Sequence, residues 1–159
     1  MPTAKQLRHE RQIVIKAWLI AGTIDICLAF LYSYLKNDVT PDKVLSYISR
    51  VAFKNNISGQ GLLIITGLLV HYIIALVWAM VYYRAARRNY LLRTNLWLDA
   101  VVYGIFVWGM MNLVALPTWT GKPVKLDPVN SPVNALILIV AIGLPMSYFI
   151  GSLFRKKKV

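Results

Sequence analysis

Three polar side chains sit deep inside long apolar runs: Asp25, His71 and Asn112. Ionisable groups are expensive in hydrocarbon, so each is a functional candidate by default. A carboxylate and an imidazole brought together there can do two kinds of work. They can tie two helices as a buried pair, or they can relay a proton or hold a polar substrate. A lone histidine can also be an axial ligand to a haem or chlorin, but these runs hold no second one. Only two good metal ligands lie at depth, too few for a site made by this chain alone. No serine has the GxSxG setting of an activated nucleophile. No cofactor, no metal and no catalytic residue are therefore assigned.

Spacing says what must position these residues. Read in fours, one run gives Gly67, His71, Ala75, Ala79, and another gives Ala17, Ala21, Asp25, Ala29, Ser33. A third gives Ala100, Gly104, Trp108, Asn112, and a fourth gives Gly143, Ser147, Gly151. Four-residue steps are one ridge of a helix, drifting by about 40° per step. Small residues on such a ridge mark where a neighbouring membrane helix comes close. Gly67, Ala75, Gly104, Gly143, Ser147 and Gly151 are thus the expected helix-packing positions. Asp25, His71 and Asn112 are expected to face one interior. Asp25 is nine positions beyond Lys16 and His71 thirteen before Arg84. At 1.5 Å per residue that puts them ~14 and ~20 Å from one membrane edge, an offset their side chains can bridge. Asp99 falls near that same edge, where the arginines of residues 84–93 are expected to pair with it.

The elements follow from the runs. Each membrane crossing needs ~20 apolar residues, and four such runs fit: about 17–35, 61–83, 96–116 and 133–154. Pro117 is read as the stop of the third. Pro145 is expected to kink the fourth by removing a bond to Ala141. Trp18, Tyr32 and Tyr34 flank the first run as an aromatic belt would. Residues 1–16 read as a polar helical extension of it. Between the first two runs, Thr40-Pro41-Asp42 is a helix start. Val44, Leu45, Ile48, Val51 and Ala52 follow at helical spacing. A segment of about 41–54 is too short to span, so an amphipathic interfacial helix is expected, with Val44, Ile48 and Val51 turned to the membrane or bundle. A re-entrant segment is the alternative. The fold class is all-α: a membrane bundle of four transmembrane helices plus this short helix, one domain over residues 1–159.

Composition agrees and sets limits. The chain is 58% hydrophobic with a mean hydropathy of +0.56, above the ~45–50% apolar content of soluble domains. A net charge of +12 would suit a nucleic-acid partner, but the basic residues cluster at the ends of the runs and no soluble face presents them. They serve instead to orient spans, so no nucleic acid is expected and the lipid bilayer is the primary partner. The N-terminal segment, the loop with Arg84, Arg87, Arg88 and Arg93, and the tail with Arg155, Lys156, Lys157 and Lys158 share one side of a four-span chain. The positive-inside rule then places both termini in the cytoplasm. The first run is too long for a signal-peptide core and is read as a retained span. The single cysteine, Cys27, excludes an intrachain disulfide and reads as a small buried hydrophobe.

The segments AGTIDICLAF, TPDKVLSYI, GLLVHYIIA and MMNLVALP together resemble those of a family of small uncharacterised bacterial four-span integral membrane proteins. The resemblance implies a bacterial cytoplasmic (inner) membrane location and no particular chemistry. Three functions are compatible with the sequence. The first is a non-catalytic structural or accessory subunit, as a homo-oligomer or beside other membrane subunits. The alternative is a small proton-coupled transporter using Asp25 and His71. The second alternative is a membrane-embedded enzyme or cofactor-binding protein.

Overall fold

The computed structural model describes residues 3–88, 95–123 and 127–155. Arg93, Lys125, Lys156, Lys157 and Lys158, which enter the orientation argument, lie outside the described residues. Among the described residues the chain is helical, with four helices long and apolar enough to cross a membrane. These are α1 (Ala4–Asn37), α3 (Gln60–Arg88), α4 (Leu96–Thr120) and α5 (Asn130–Gly151). A shorter helix, α2 (Pro41–Phe53), stands between the first two. The protein is thus a four-helix integral membrane protein.

α1 starts before the hydrocarbon run, because Thr3 and Gln6 cap each other's backbone N–H in a capping box. It ends at Asp38, whose left-handed backbone (φ 50°) lets its N–H return to Ser33 and Tyr34. α4 does not stop at Pro117. Residues Met110–Ala115 form wide π turns, and a new α segment begins at Leu116. Pro117 then sits in a first turn, where its missing N–H costs little. Gly121 in the left-handed region (φ 66°) ends the helix instead. α5 changes register in the same way, with π segments at Ile139–Gly143 and Met146–Gly151 on either side of Pro145. The lost bond at the proline is accommodated by longer-range π bonding.

The helices alternate up and down. At the end that carries Ala4, Arg88, Leu96 and Gly151, the core is Ala17, Ala21, Ala79, Tyr82, Met146 and Ile150, all fully or nearly fully buried. Close approach depends on small residues there. A Cβ on Gly143 would overlap the Ala100 carbonyl, and one on Gly104 would overlap Ile139. Tyr103 donates to the Trp78 carbonyl at 2.6 Å and ties α4 to α3. At the opposite end Asn130 accepts from the Tyr32 hydroxyl at 2.8 Å and from Lys36, joining the end of α1 to the start of α5.

α2 packs along the first turns of α3, rotated so that Leu45 of its apolar series lies deepest while Ile48 and Val51 line a cleft inside the bundle. Leu45, Ser46 and Ser49 are buried, whereas Val44, Ile48 and Val51 are only partly so. Two features of α3 explain the rotation. Gly67 has no Cβ to hold off the Leu45 carbonyl, and the Thr66 hydroxyl meets Ser49 Oγ at 2.7 Å. The seat at Gly67 is seven residues, or ~10 Å, along α3 from Gln60. Cys27 is exposed on the outer surface of α1, not buried as a small hydrophobe. In a membrane helix that outward face meets lipid, where an apolar thiol needs no protein cover.

Candidate functional site

Asp25 on α1 and His71 on α3 face each other in the middle of the bundle. His71 Nδ1 lies 4.0 Å from Asp25 Oδ2. The other ring nitrogen, Nε2, is 2.8 Å from the Gly22 carbonyl oxygen. A carbonyl can only accept, so Nε2 carries the proton and donates. That fixes the Nδ1 side: it is either a lone pair facing a protonated Asp25 or a second N–H facing the carboxylate. At 4.0 Å the contact is at the limit of an ion pair and leaves room for a bridging water.

Gly22 makes this geometry available. A Cβ there would meet the Tyr72 ring at 3.1 Å and Ala75 Cβ at 3.3 Å, tighter than ordinary contact. Two further bonds hold the same junction. Trp18 Nε1 donates to the Tyr72 carbonyl at 2.7 Å, and the Thr23 and Tyr72 hydroxyls meet at 2.8 Å. Trp18 is therefore a strut between α1 and α3 and not only a belt residue. His71 is 9% exposed, and Asp25, at 19% of its side chain, opens toward a cleft.

The cleft has a volume of about 240 Å³. Asp25, His71 and Asn112 are all in its wall. The rest is mostly apolar: Ile48 and Val51 of α2, Val70 and Ile74 of α3, Met111 of α4, and Ile142 of α5 among others. Asn112 spends one amide hydrogen on its own helix, donating to the Trp108 carbonyl at 3.0 Å. Its place in a π turn carries it off the ridge of Ala100 and Gly104 and toward the cleft.

The six packing positions all lie at helix contacts, in ways the ridge pattern does not resolve. Gly67 admits α2, not another span, whereas Ala75 faces Gly22 of α1. Gly104 and Gly143 join α4 to α5. Gly151 borders Tyr82 and Arg155, and Ser147 Oγ donates to the Leu96 carbonyl at 2.9 Å.

A second buried polar cluster surrounds Asp99, which is 1% exposed. Its partner is Arg155, at 3.1 Å from Oδ2, and not an arginine of residues 84–88. The same guanidinium nitrogen donates to the Ser147 carbonyl at 2.9 Å and to Ser147 Oγ. Arg155, four residues beyond the end of α5, reaches back over Gly151, whose missing side chain leaves the path open. Among the described residues Asp99 Oδ1 and the Tyr82 hydroxyl have no hydrogen-bond partner.

The arrangement can hold a proton between Asp25 and His71, and it can hold a small apolar group against them. It is less suited to ligation. With Nε2 committed to Gly22 and Nδ1 turned to Asp25, His71 has no free lone pair directed at a cofactor. No group of three or more His, Cys, Asp or Glu side chains is placed to hold a metal among the described residues. No family model, curated protein or solved structure matches the chain.

Proposed function

We propose that this is a non-catalytic membrane protein, a structural or accessory component that acts as a homo-oligomer or beside other membrane subunits. The observation that supports it is the double engagement of His71 by α1, through Gly22 and Asp25. Both polar ends of the ring are used to join two spans, which is the work of a strut. In this reading the membrane is a bacterial cytoplasmic one, as the resemblance implies, and both termini lie inside, as the basic segments favour. Reporter fusions at Lys54, Arg88, Lys125 and the C-terminus should then read out, in, out, in. A C-terminus on the outer side would overturn that orientation.

One observation favours a second reading, a proton-coupled carrier: Asp25 and His71 open onto an apolar cleft. Asp25→Asn separates the two. An amide still accepts and donates hydrogen bonds but cannot carry a proton. The protein is reconstituted in liposomes with a pH-sensitive dye inside. For a strut, neither the wild type nor Asp25→Asn moves protons, and Asp25→Asn stays folded while Asp25→Leu loses stability. Proton flux in the wild type that vanishes in a folded Asp25→Asn variant would replace the accessory reading with the carrier.

A further inference from the structure

A groove of about 1020 Å³ lies between the first third of α1 and the last third of α3. It is distinct from the Asp25–His71 cleft and lies toward the end that carries Ala4 and Arg88. Its deep part is apolar, with Val14 and Ile15 on α1 and Leu76 and Met80 on α3. Its outer part is basic, with Arg11, Arg84, Arg87 and Arg88. All four arginines are exposed, as are Ile15 and Met80. One carboxylate shares the groove, Glu10, and it accepts from the Tyr83 hydroxyl, to which Arg87 also donates at 3.2 Å. Arg11, Arg84 and Arg88 against one engaged carboxylate leave a positive excess at the mouth. From Leu76 to Arg88 is twelve residues, ~18 Å along the helix, so charge and apolar surface follow one another with depth.

We infer that this groove binds an anionic phospholipid of the surrounding bilayer, its phosphate among Arg11, Arg84 and Arg88 and an acyl chain along Ile15, Leu76 and Met80. The lipid is identified by complementarity on two counts. The basic mouth selects a negative headgroup, because arginines at a membrane edge attract anionic over zwitterionic lipid. The apolar floor lies where the acyl chain of a lipid at that level must run, and a soluble anion would leave it uncovered.

The test uses the full chain purified in mild detergent and analysed by native mass spectrometry. It is titrated with phosphatidylglycerol, with phosphatidylcholine of the same chains, and with glycerol phosphate. Phosphatidylglycerol should be retained about tenfold more tightly than phosphatidylcholine, and glycerol phosphate should not be retained. The double variant Arg84→Gln, Arg88→Gln should lose that preference, while Arg50→Gln, Lys54→Gln at the other end of the bundle keeps it. Both pairs are exposed, so folding is unaffected. Equal retention of the two lipids, retention of glycerol phosphate, or equal loss in both double variants would overturn the inference.

Discussion

Replacing Arg155 by glutamine should be among the most damaging single changes near the end of α5, although the residue is itself partly exposed. Its Nη2 lies 3.1 Å from Asp99 Oδ2, and Asp99 is 1% exposed. Exposed ion pairs are worth about 0–1 kcal/mol, but removing one partner of a buried pair costs about 3–5 kcal/mol. Two details place this pair at the low end. Arg155 keeps 20% of its side chain exposed, so water can reach the carboxylate when the guanidinium goes. Only one carboxylate oxygen is bonded to it, and Oδ1 has no partner among the described residues. We expect Arg155→Gln to cost about 3 kcal/mol. Asp99→Asn, which leaves an amide oxygen to accept from Arg155, should cost about 1 kcal/mol. The double variant leaves no unpaired charge, so it should cost about 1–3 kcal/mol, no more than Arg155→Gln alone, giving a coupling of about 1–3 kcal/mol. Equilibrium unfolding of the four proteins in mixed micelles measures the cycle. Additivity within about 0.5 kcal/mol would mean that the two charges do not sense each other, and the buried-pair argument would fail.

Three further outcomes are expected. Gly67→Leu should displace α2, because even its Cβ overlaps the Leu45 carbonyl, at an overpacking cost of about 1–3 kcal/mol. In a Cys27→Ser background it should abolish oxidative crosslinking between Ser49→Cys and Thr66→Cys, which the unaltered Gly67 should allow. Spin labels along α2 should be immobile at Ser46 and Ser49 and mobile at Tyr47 and Arg50, and uniform mobility would refute the packed helix. At the start of α5, the backbone N–H groups of Asn130 and Val129 hold the Asp127 carboxyl below its ordinary value of 3.8. A lowered folded value means that the cap stabilises the helix above pH 3.8 and is lost as the pH falls through the folded value. Protection of the Asn130 amide, taken relative to its intrinsic exchange rate at each pH, should therefore fall only below about pH 4, and a fall near neutrality would contradict the cap.

The sequence carries the fold because its signals are periodic and local. Runs of ~20 apolar residues read as spans without any tertiary knowledge, and the Thr-Pro-Asp start of α2 is a local motif. The extension of α1 ahead of its apolar run is legible too, with Thr3 and Gln6 at capping-box spacing marking where it starts. What sequence could not supply was direction around each axis. Gly67 and His71 share a ridge, yet one faces α2 and the other α1, because the ridge drifts and two neighbours divide it. Which part of α2's apolar series lies deepest is decided by α3, where Gly67 admits the Leu45 carbonyl and Thr66 meets Ser49. Carbonyl partners leave no trace in side-chain pattern, so Gly22 and Tyr72 as acceptors were invisible. Arg155 reads as one more tail cation until Gly151 shows the path by which it returns to Asp99.

The bundle is a wedge, and its shape bears on the choice between strut and carrier. Toward the end that carries Ala4 and Arg88, Gly104 and Gly143 bring α4 and α5 into backbone contact. Ala17, Ala21, Ala79 and Ala86 are fully buried beside Tyr82 and Met146 there. Toward the other end Met111, Leu116, Trp119 and Leu138 line the cleft together with Ile48 and Val51 of α2. Asp25 and His71 sit where the wedge begins to open. A carrier must expose its site to each side in turn, as one bundle rocks against another. Here that would mean separating backbone surfaces in van der Waals contact at Gly104 and Gly143, together with the buried Asp99–Arg155 pair. The wide turns at Met110–Ala115 and Ile139–Gly143 are the places where α4 and α5 have slack to do so. A strut needs none of this movement. Locking α4 to α5 by a Leu96→Cys, Ser147→Cys disulfide, where the two helices already meet at 2.9 Å, should therefore leave an accessory role intact, measured as rescue of a deletion strain. Loss of rescue on oxidation, restored by reductant, would show that the wedge must open.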